Sequence, residues 1–131
     1  YDAVASPDPW NDYEAHMDHI VVGKAVAQAA ISSSLKKYPE NTSTLPLSLS
    51  AVLFYFSSKP NTFFDITSEF DKKMYSISLH SSQINEEMLK LYGGYFMWRG
   101  ERMSGKEGVI YEGVKALLPL HLHCIPEAVE I

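Results

Sequence analysis

The hydrophobic period of this chain changes along its length, and that change favours a mixed fold over an all-helical or all-strand one. Trp10, Tyr13, Met17 and Ile20, then Ala27, Ile31 and Leu35, recur at steps of three and four, which predicts an N-terminal helix. Ser6-Pro7 and Asp8-Pro9 each offer an N-cap followed by proline at the first helical position. Pro39 ends that element, and a polar turn segment leads into the apolar run LSLSAVLFYF. The period then becomes two. Phe64, Ile66, Ser68 and Phe70 alternate with Asp65, Thr67 and Glu69; beyond the Asp71-Lys72 turn, Tyr75, Ile77 and Leu79 alternate with Ser76, Ser78 and His80. This reads as a β-hairpin with one apolar and one polar face.

Further along, Ser81 or Ser82 can cap a short helix in which Ile84, Met88, Leu91 and Tyr92 share a face, with Gly93-Gly94 as its stop. YFMWR reads as a strand and GERMSGKEG as a glycine-punctuated loop. Residues 109–125 read as one strand broken at Pro119, or as a helix followed by a strand. The expectation is an α+β fold: a single compact domain over residues 10–131, preceded by an extended segment over residues 1–9. Its sheet is largely antiparallel, and the N-terminal helix and one or two short helices pack on it.

Composition narrows the function classes. In 131 residues, 46% are hydrophobic and 21% charged, and the formal net charge is -5, so the chain can bury a core and carries no overall basic footprint for nucleic acid. Residues 20–31 form the longest apolar stretch, interrupted by Gly23, Lys24 and Gln28 and too short to span a bilayer. A single cysteine, Cys124, excludes an intrachain disulfide and points to a reducing, intracellular and cytoplasmic setting. Tyr1 in place of Met is the mark expected of a processed or trimmed chain.

Three groups of residues invite a functional reading. In LPLHLHC, a strand would put His121 and His123 on one face and Cys124 on the other, so the two histidines can chelate while the thiol points away. His16 and His19 form a second pair at helical i,i+3 spacing, and the two pairs would make a zinc or other divalent transition-metal site if the helix crossed the strand. Arg99, Arg102 and Lys106, beside Trp98, make the most basic place in an acidic chain, suited to an anion, a nucleic-acid strand or an acidic partner. GERMSGK also matches a phosphate-binding loop up to its last position. There, Glu107 replaces the required Ser or Thr, and too little chain follows for the usual βαβ context. Third, in VLFYF, Leu53 and Tyr55 oppose Phe54 and Phe56, so this strand needs cover on both faces and suggests an association surface.

No nucleophile elbow and no catalytic grouping of Ser, His and Asp stands out. The expectation is therefore a non-catalytic interaction or assembly module without a cofactor. It would self-associate as a homo-oligomer, in the manner of a structural or accessory protein of a larger assembly, viral ones included. The alternatives are a small metal-dependent enzyme or metal-binding protein built on His121 and His123, and anion or nucleic-acid binding through residues 99–106.

Overall fold

A computed structural model describes residues 2–36 and 45–131 of the chain. The elements run in the order β1 (Ala3–Pro7), α1 (Met17–Ser32), β2 (Ala51–Tyr55), β3 (Thr62–Asp65), α2 (Phe70–Ser78), α3 (Glu86–Ser104) and β4 (Tyr111–Leu117), with short 3-10 turns at Thr67–Glu69, Pro119–Leu122 and Pro126–Val129. The α+β class expected from the sequence is what forms. The sheet is mixed, in the order β1-β2-β4-β3: β1 runs parallel to β2, and β4 antiparallel to it. The chain packs as two compact units, Tyr1–Thr62 with Gly113–Ile131, and Phe63–Glu112.

In the first unit the N-terminal prolines begin no helix. Residues 3–7 pair with residues 51–55, Ala3 opposite Ala51 and Pro7 opposite Tyr55, and the Asp8 N–H continues the ladder to the Tyr55 carbonyl at 2.9 Å. Pro7 is tolerated because β1 is an edge strand, where a missing N–H breaks no second ladder. Helix α1 therefore starts at Met17, ten residues later than the Pro7 start would place it, and the expected end at Pro39 lies outside the described residues. Its buried face is made of small residues, Gly23, Ala27 and Ala30, spaced four and three apart. The two alanines join Val52, Phe54 and Leu117 of the sheet in the core, with Val4, Leu49 and Leu122 packed at its margin.

The second unit departs furthest from the sequence reading. The expected hairpin is replaced by β3, a 3-10 turn and helix α2. Phe70, Met74 and Ile77 stand at i, i+4 and i+7, so residues that alternate also make a helical stripe. Exposure decides for the helix: Tyr75 and Leu79, which alternation would bury with Ile77, are open to solvent, while Met74 is half-buried. The expected stop at Gly93-Gly94 and the expected strand YFMWR are corrected as well, because α3 runs through both. A Cβ on Gly93 would meet the Met74 side chain at 3.3 Å, so this glycine serves close packing rather than termination. The true stop is Gly105, which takes the left-handed conformation with φ 68° and donates its N–H to the Glu101 carbonyl. The true start is Asn85, whose side chain accepts the Met88 N–H at 2.8 Å. Asn85→Ala is expected to cost about 1 kcal/mol, read as a lower urea midpoint with an unchanged slope.

A second anchor of this unit responds to pH. Asp65 Oδ1 accepts from the Thr67 hydroxyl at 2.6 Å and the Thr67 N–H at 3.0 Å, while the Thr67 hydroxyl oxygen accepts the Ile110 N–H at 2.9 Å. The hydroxyl bond, and then the backbone bond, hold the Asp65 carboxyl below its ordinary value of 3.8. A depressed carboxyl stabilises the folded state fully above its unfolded pKa and loses that contribution as pH falls through the folded value. Asp65→Asn is thus expected to flatten the acid limb of the stability curve below about pH 4. An NMR titration of the Asp65 carboxyl in the parent protein checks the direction of the shift.

Candidate active site

The start of α1 gathers ionisable groups in a way the histidine spacing alone does not reveal. His16 is the N-cap residue, but its side chain caps nothing. Glu14, two residues upstream, turns back instead: Oε1 accepts the His16 N–H at 2.7 Å, and Oε2 lies 2.9 Å from Nδ1 of His19. A carboxylate at a helix N-terminus meets the positive end of the dipole, so the position suits it. Its bond to His19, followed by the backbone bond from His16, keeps the Glu14 carboxyl below its ordinary value of 4.5. A carboxylate only accepts, so the Nδ1 of His19 that faces Glu14 carries a proton, and Nε2 is the ring nitrogen turned away from that bond. The His16 and His19 rings stack at 4.6 Å between centroids, and Phe56 stacks on His19 at 6.4 Å. The pair is accessible, since the His19 side chain is 37% exposed.

This is the arrangement found around metal-binding histidines, in which an outer carboxylate fixes tautomer and ring direction. Among the described residues, however, no three His, Cys, Asp or Glu side chains are grouped to hold an ion. Glu14 is already bonded to His19 and to the His16 N–H, so the cluster offers at most the two imidazoles and is not by itself a complete donor set.

The chain as a whole resembles known enzymes. The chain is similar to diacetylchitobiose deacetylases. It is 34% identical over 134 residues to the diacetylchitobiose deacetylase of Thermococcus kodakarensis, covering 95% of this chain and 48% of that protein. It superposes with a TM-score of 0.83 and 30% identity on the N,N'-diacetylchitobiose deacetylase of Pyrococcus horikoshii, solved with its inhibitor, covering 99% of this chain and 51% of that one. The chain thus spans about half the length of the relatives it matches. GalB, the 4-carboxy-2-hydroxymuconate hydratase of Pseudomonas putida, shares the fold at a TM-score of 0.66 and 23% identity over 90% of this chain and 52% of its own. No family model matches.

The likeness corrects two expectations. The non-catalytic assembly module, described as a structural or accessory protein, gives way because the relatives are hydrolytic enzymes. The expectation of no cofactor gives way too, since such deacetylases imply a metal, zinc. The missing nucleophile elbow carries no weight against catalysis, because hydrolysis assisted by a metal needs no protein nucleophile.

The other residues singled out in the sequence are scattered. His121 and His123 do not share a strand face, because β4 ends at Leu117 and a 3-10 turn begins at Pro119. His121 Nδ1 accepts the Leu118 N–H at 3.3 Å, while His123 lies beside Cys124, its Nε2 3.6 Å from Sγ, where a divided strand would have separated them. Residues 99–106 are not a loop either: Arg99 to Ser104 belong to α3 and only Lys106 lies beyond the cap. Arg99 Nη1 donates to the Tyr95 hydroxyl at 3.2 Å, and the Arg102 guanidinium lies 5.6 Å from the centre of the Trp98 ring. VLFYF is divided as well. Phe54 is core at 1% exposure and cannot belong to an association surface, Leu53 and Tyr55 are half-buried, and Phe56 leaves the strand with φ 60°. Glu14 is the residue that sequence reasoning missed. Its signal was a carboxylate just before the helix, five residues ahead of a histidine in the first turn.

Proposed function

We propose that this chain carries part of the active centre of a metal-dependent deacetylase that hydrolyses the N-acetyl group of a small amino sugar, releasing acetate and a free amine. The observation that carries the reading is the Glu14–His19 pair, a histidine oriented by a carboxylate, in a chain 34% identical to a diacetylchitobiose deacetylase. A bound zinc ion would polarise the amide carbonyl and acidify water at neutral pH. The chain's own residues contribute the rest of the chemistry named here: His19 offers Nε2, Glu14 holds the ring in place, and His16 stacks against it. Among the described residues no helix is long and apolar enough to cross a membrane, and we place the enzyme inside the cell, where the exposed thiol of Cys124 would stay reduced.

The reading is tested by incubating the zinc-loaded protein with N,N'-diacetylchitobiose and following free amine and acetate together. Equal, saturable release of both, lost on chelation and restored by zinc, is the expected result. Zinc-loaded protein that releases no amine from this substrate would refute it.

A further inference from the structure

Helix α3 carries apolar side chains on two faces, and its own unit uses one of them. The inner face runs through Gly93, Phe96 and Gly100, at steps of three and four. A Cβ on Gly93 would meet Met74, one on Gly100 would meet Ile110 and Tyr111, and the Lys73 ammonium lies over the Phe96 ring at 4.5 Å, so this face is packed. The outer face runs through Leu91, Tyr95 and Trp98, which are 70%, 44% and 56% exposed, and ends at the exposed Arg102. A helix that is apolar on both faces calls for a partner on each. We propose that the same helix of a second copy covers the outer face, the two helices lying antiparallel about a two-fold axis that passes between Gly94 and Tyr95.

The residue order is self-complementary about that point. Across a two-fold axis every contact from one residue to another is repeated in reverse. Antiparallel pairing centred between residues 94 and 95 brings Glu87 level with Arg102 of the second copy, Leu91 level with its Trp98, and Gly94 level with its Tyr95. The spacing keeps all six residues on one stripe about 22 Å long. Each carboxylate thus meets a guanidinium and each leucine an indole. Among the described residues, neither Glu87 nor Arg102 has an ion-pair partner within its own chain.

Gly94 supports the same centre. It lies exposed inside a 19-residue helix, where glycine is a weaker helix former than alanine, and nothing in its own chain comes within 4 Å of where a Cβ would stand. Bare backbone at that point leaves room for the Tyr95 ring of the second copy. The outer side chains are also placed in advance: the Tyr95 and Trp98 rings lie 6.1 Å apart, Arg99 Nη1 donates to the Tyr95 hydroxyl at 3.2 Å, and the Arg102 guanidinium lies 5.6 Å from the Trp98 ring centre.

The remaining charges of α3 do not oppose the pairing. Glu86 lies off the stripe. Lys90 and Arg99 come level with one another across the axis, but nine residues are two and a half turns, so the two stand on opposite flanks. Lys90 and Glu101 are eleven residues apart and share a flank, which brings Lys90 beside Glu101 of the second copy. The charges set orientation, and burial of Leu91, Tyr95 and Trp98 supplies the affinity.

The test is sedimentation velocity on the whole chain, from about 1 to about 100 μM, with a reversible monomer–dimer equilibrium of micromolar Kd expected for a contact one helix wide. Glu87→Arg and Arg102→Glu each set two like-charged pairs across the axis and are each expected to raise Kd about tenfold. Mixed in equal amounts, the two variants regain both opposite-charge pairs, and a heterodimer of parental affinity is expected, which a misfolded variant would not give. Gly94→Gln, whose Cβ is unhindered within its own chain, is expected to raise Kd about tenfold or more without lowering the Tm of dilute protein. A chain that stays monomeric at every concentration would assign the face to another occupant and overturn the proposal. So would a dimer indifferent to both charge reversals, or reversed variants that do not recover on mixing.

Discussion

His19→Ala is expected to abolish amine release from N,N'-diacetylchitobiose while leaving the fold intact. His19 is partly exposed and contributes nothing to the buried cluster around Phe54, so its removal should leave the thermal midpoint nearly unchanged. On the proposed reading its loss removes a metal donor, and the fall in kcat/KM should then exceed the roughly 10- to 100-fold typical of losing an outer partner. Glu14→Gln supplies that smaller comparison. The amide still bonds to the ring, but it no longer selects the Nδ1 proton, because it can both donate and accept. A fall of about 10- to 100-fold is expected there. Zinc affinity should weaken in step, which separates a positioning role from general instability. A His19→Ala protein with parental turnover would remove the pair from the active centre.

Gly23→Ala is expected to be the most damaging single-methyl change in the first unit. A Cβ at this position would lie 2.6 Å from the Pro7 carbonyl oxygen and 2.8 Å from two ring carbons of Pro9. Neither neighbour is the end of a flexible side chain: one is backbone of β1, and the other is a buried ring. Relief requires α1 to move away from β1, at a cost of about 3 kcal/mol, lowering Tm by roughly 10 °C. Activity should suffer as well, since the same connection carries Glu14 and His16 to the start of α1. Gly94→Ala is the matched control. Nothing lies within 4 Å of its Cβ, and alanine in a helix interior should stabilise by about 0.5–1 kcal/mol. Chemical denaturation of the two variants beside the parent checks both signs.

How much of this could be read from the sequence depended on which signal competed with which. The α+β class was legible from the change of period, but the buried face of α1 was not: of the expected stripe, Trp10, Tyr13, Met17 and Leu35 are exposed, and Gly23, Ala27 and Ala30 are buried. The hairpin was misread because Phe70, Met74 and Ile77 satisfy a helical stripe while Tyr75, Ile77 and Leu79 satisfy alternation. The exposure of Tyr75 and Leu79, which alternation would bury, separates the two. Gly93-Gly94 failed as a stop for a similar reason: glycine marks either a left-handed turn or a close approach, and Met74 makes it the second. Pro7 and Pro9 looked like a helix start because an edge strand and a first helical turn both tolerate a missing N–H.

The candidate site was half legible. His16 and His19 were visible as an i,i+3 pair, but their importance lies in Glu14, which belongs to no helical register with them and reaches His19 only because the chain turns just before α1. The pairing of that site with His121 and His123 was not realised. Although α1 packs against the Pro119–Leu122 turn, no three potential ligands meet there among the described residues.

The most direct measurement is a titration of histidine-labelled protein with one equivalent of zinc, following the nitrogen resonances of every imidazole. Nε2 of His19 is expected to shift in proportion to zinc while Nδ1 keeps its proton, with Glu14→Gln weakening the response. Stoichiometric zinc that moves His121 and His123 and leaves His19 untouched would contradict the assignment of the Glu14–His19 pair to the active centre.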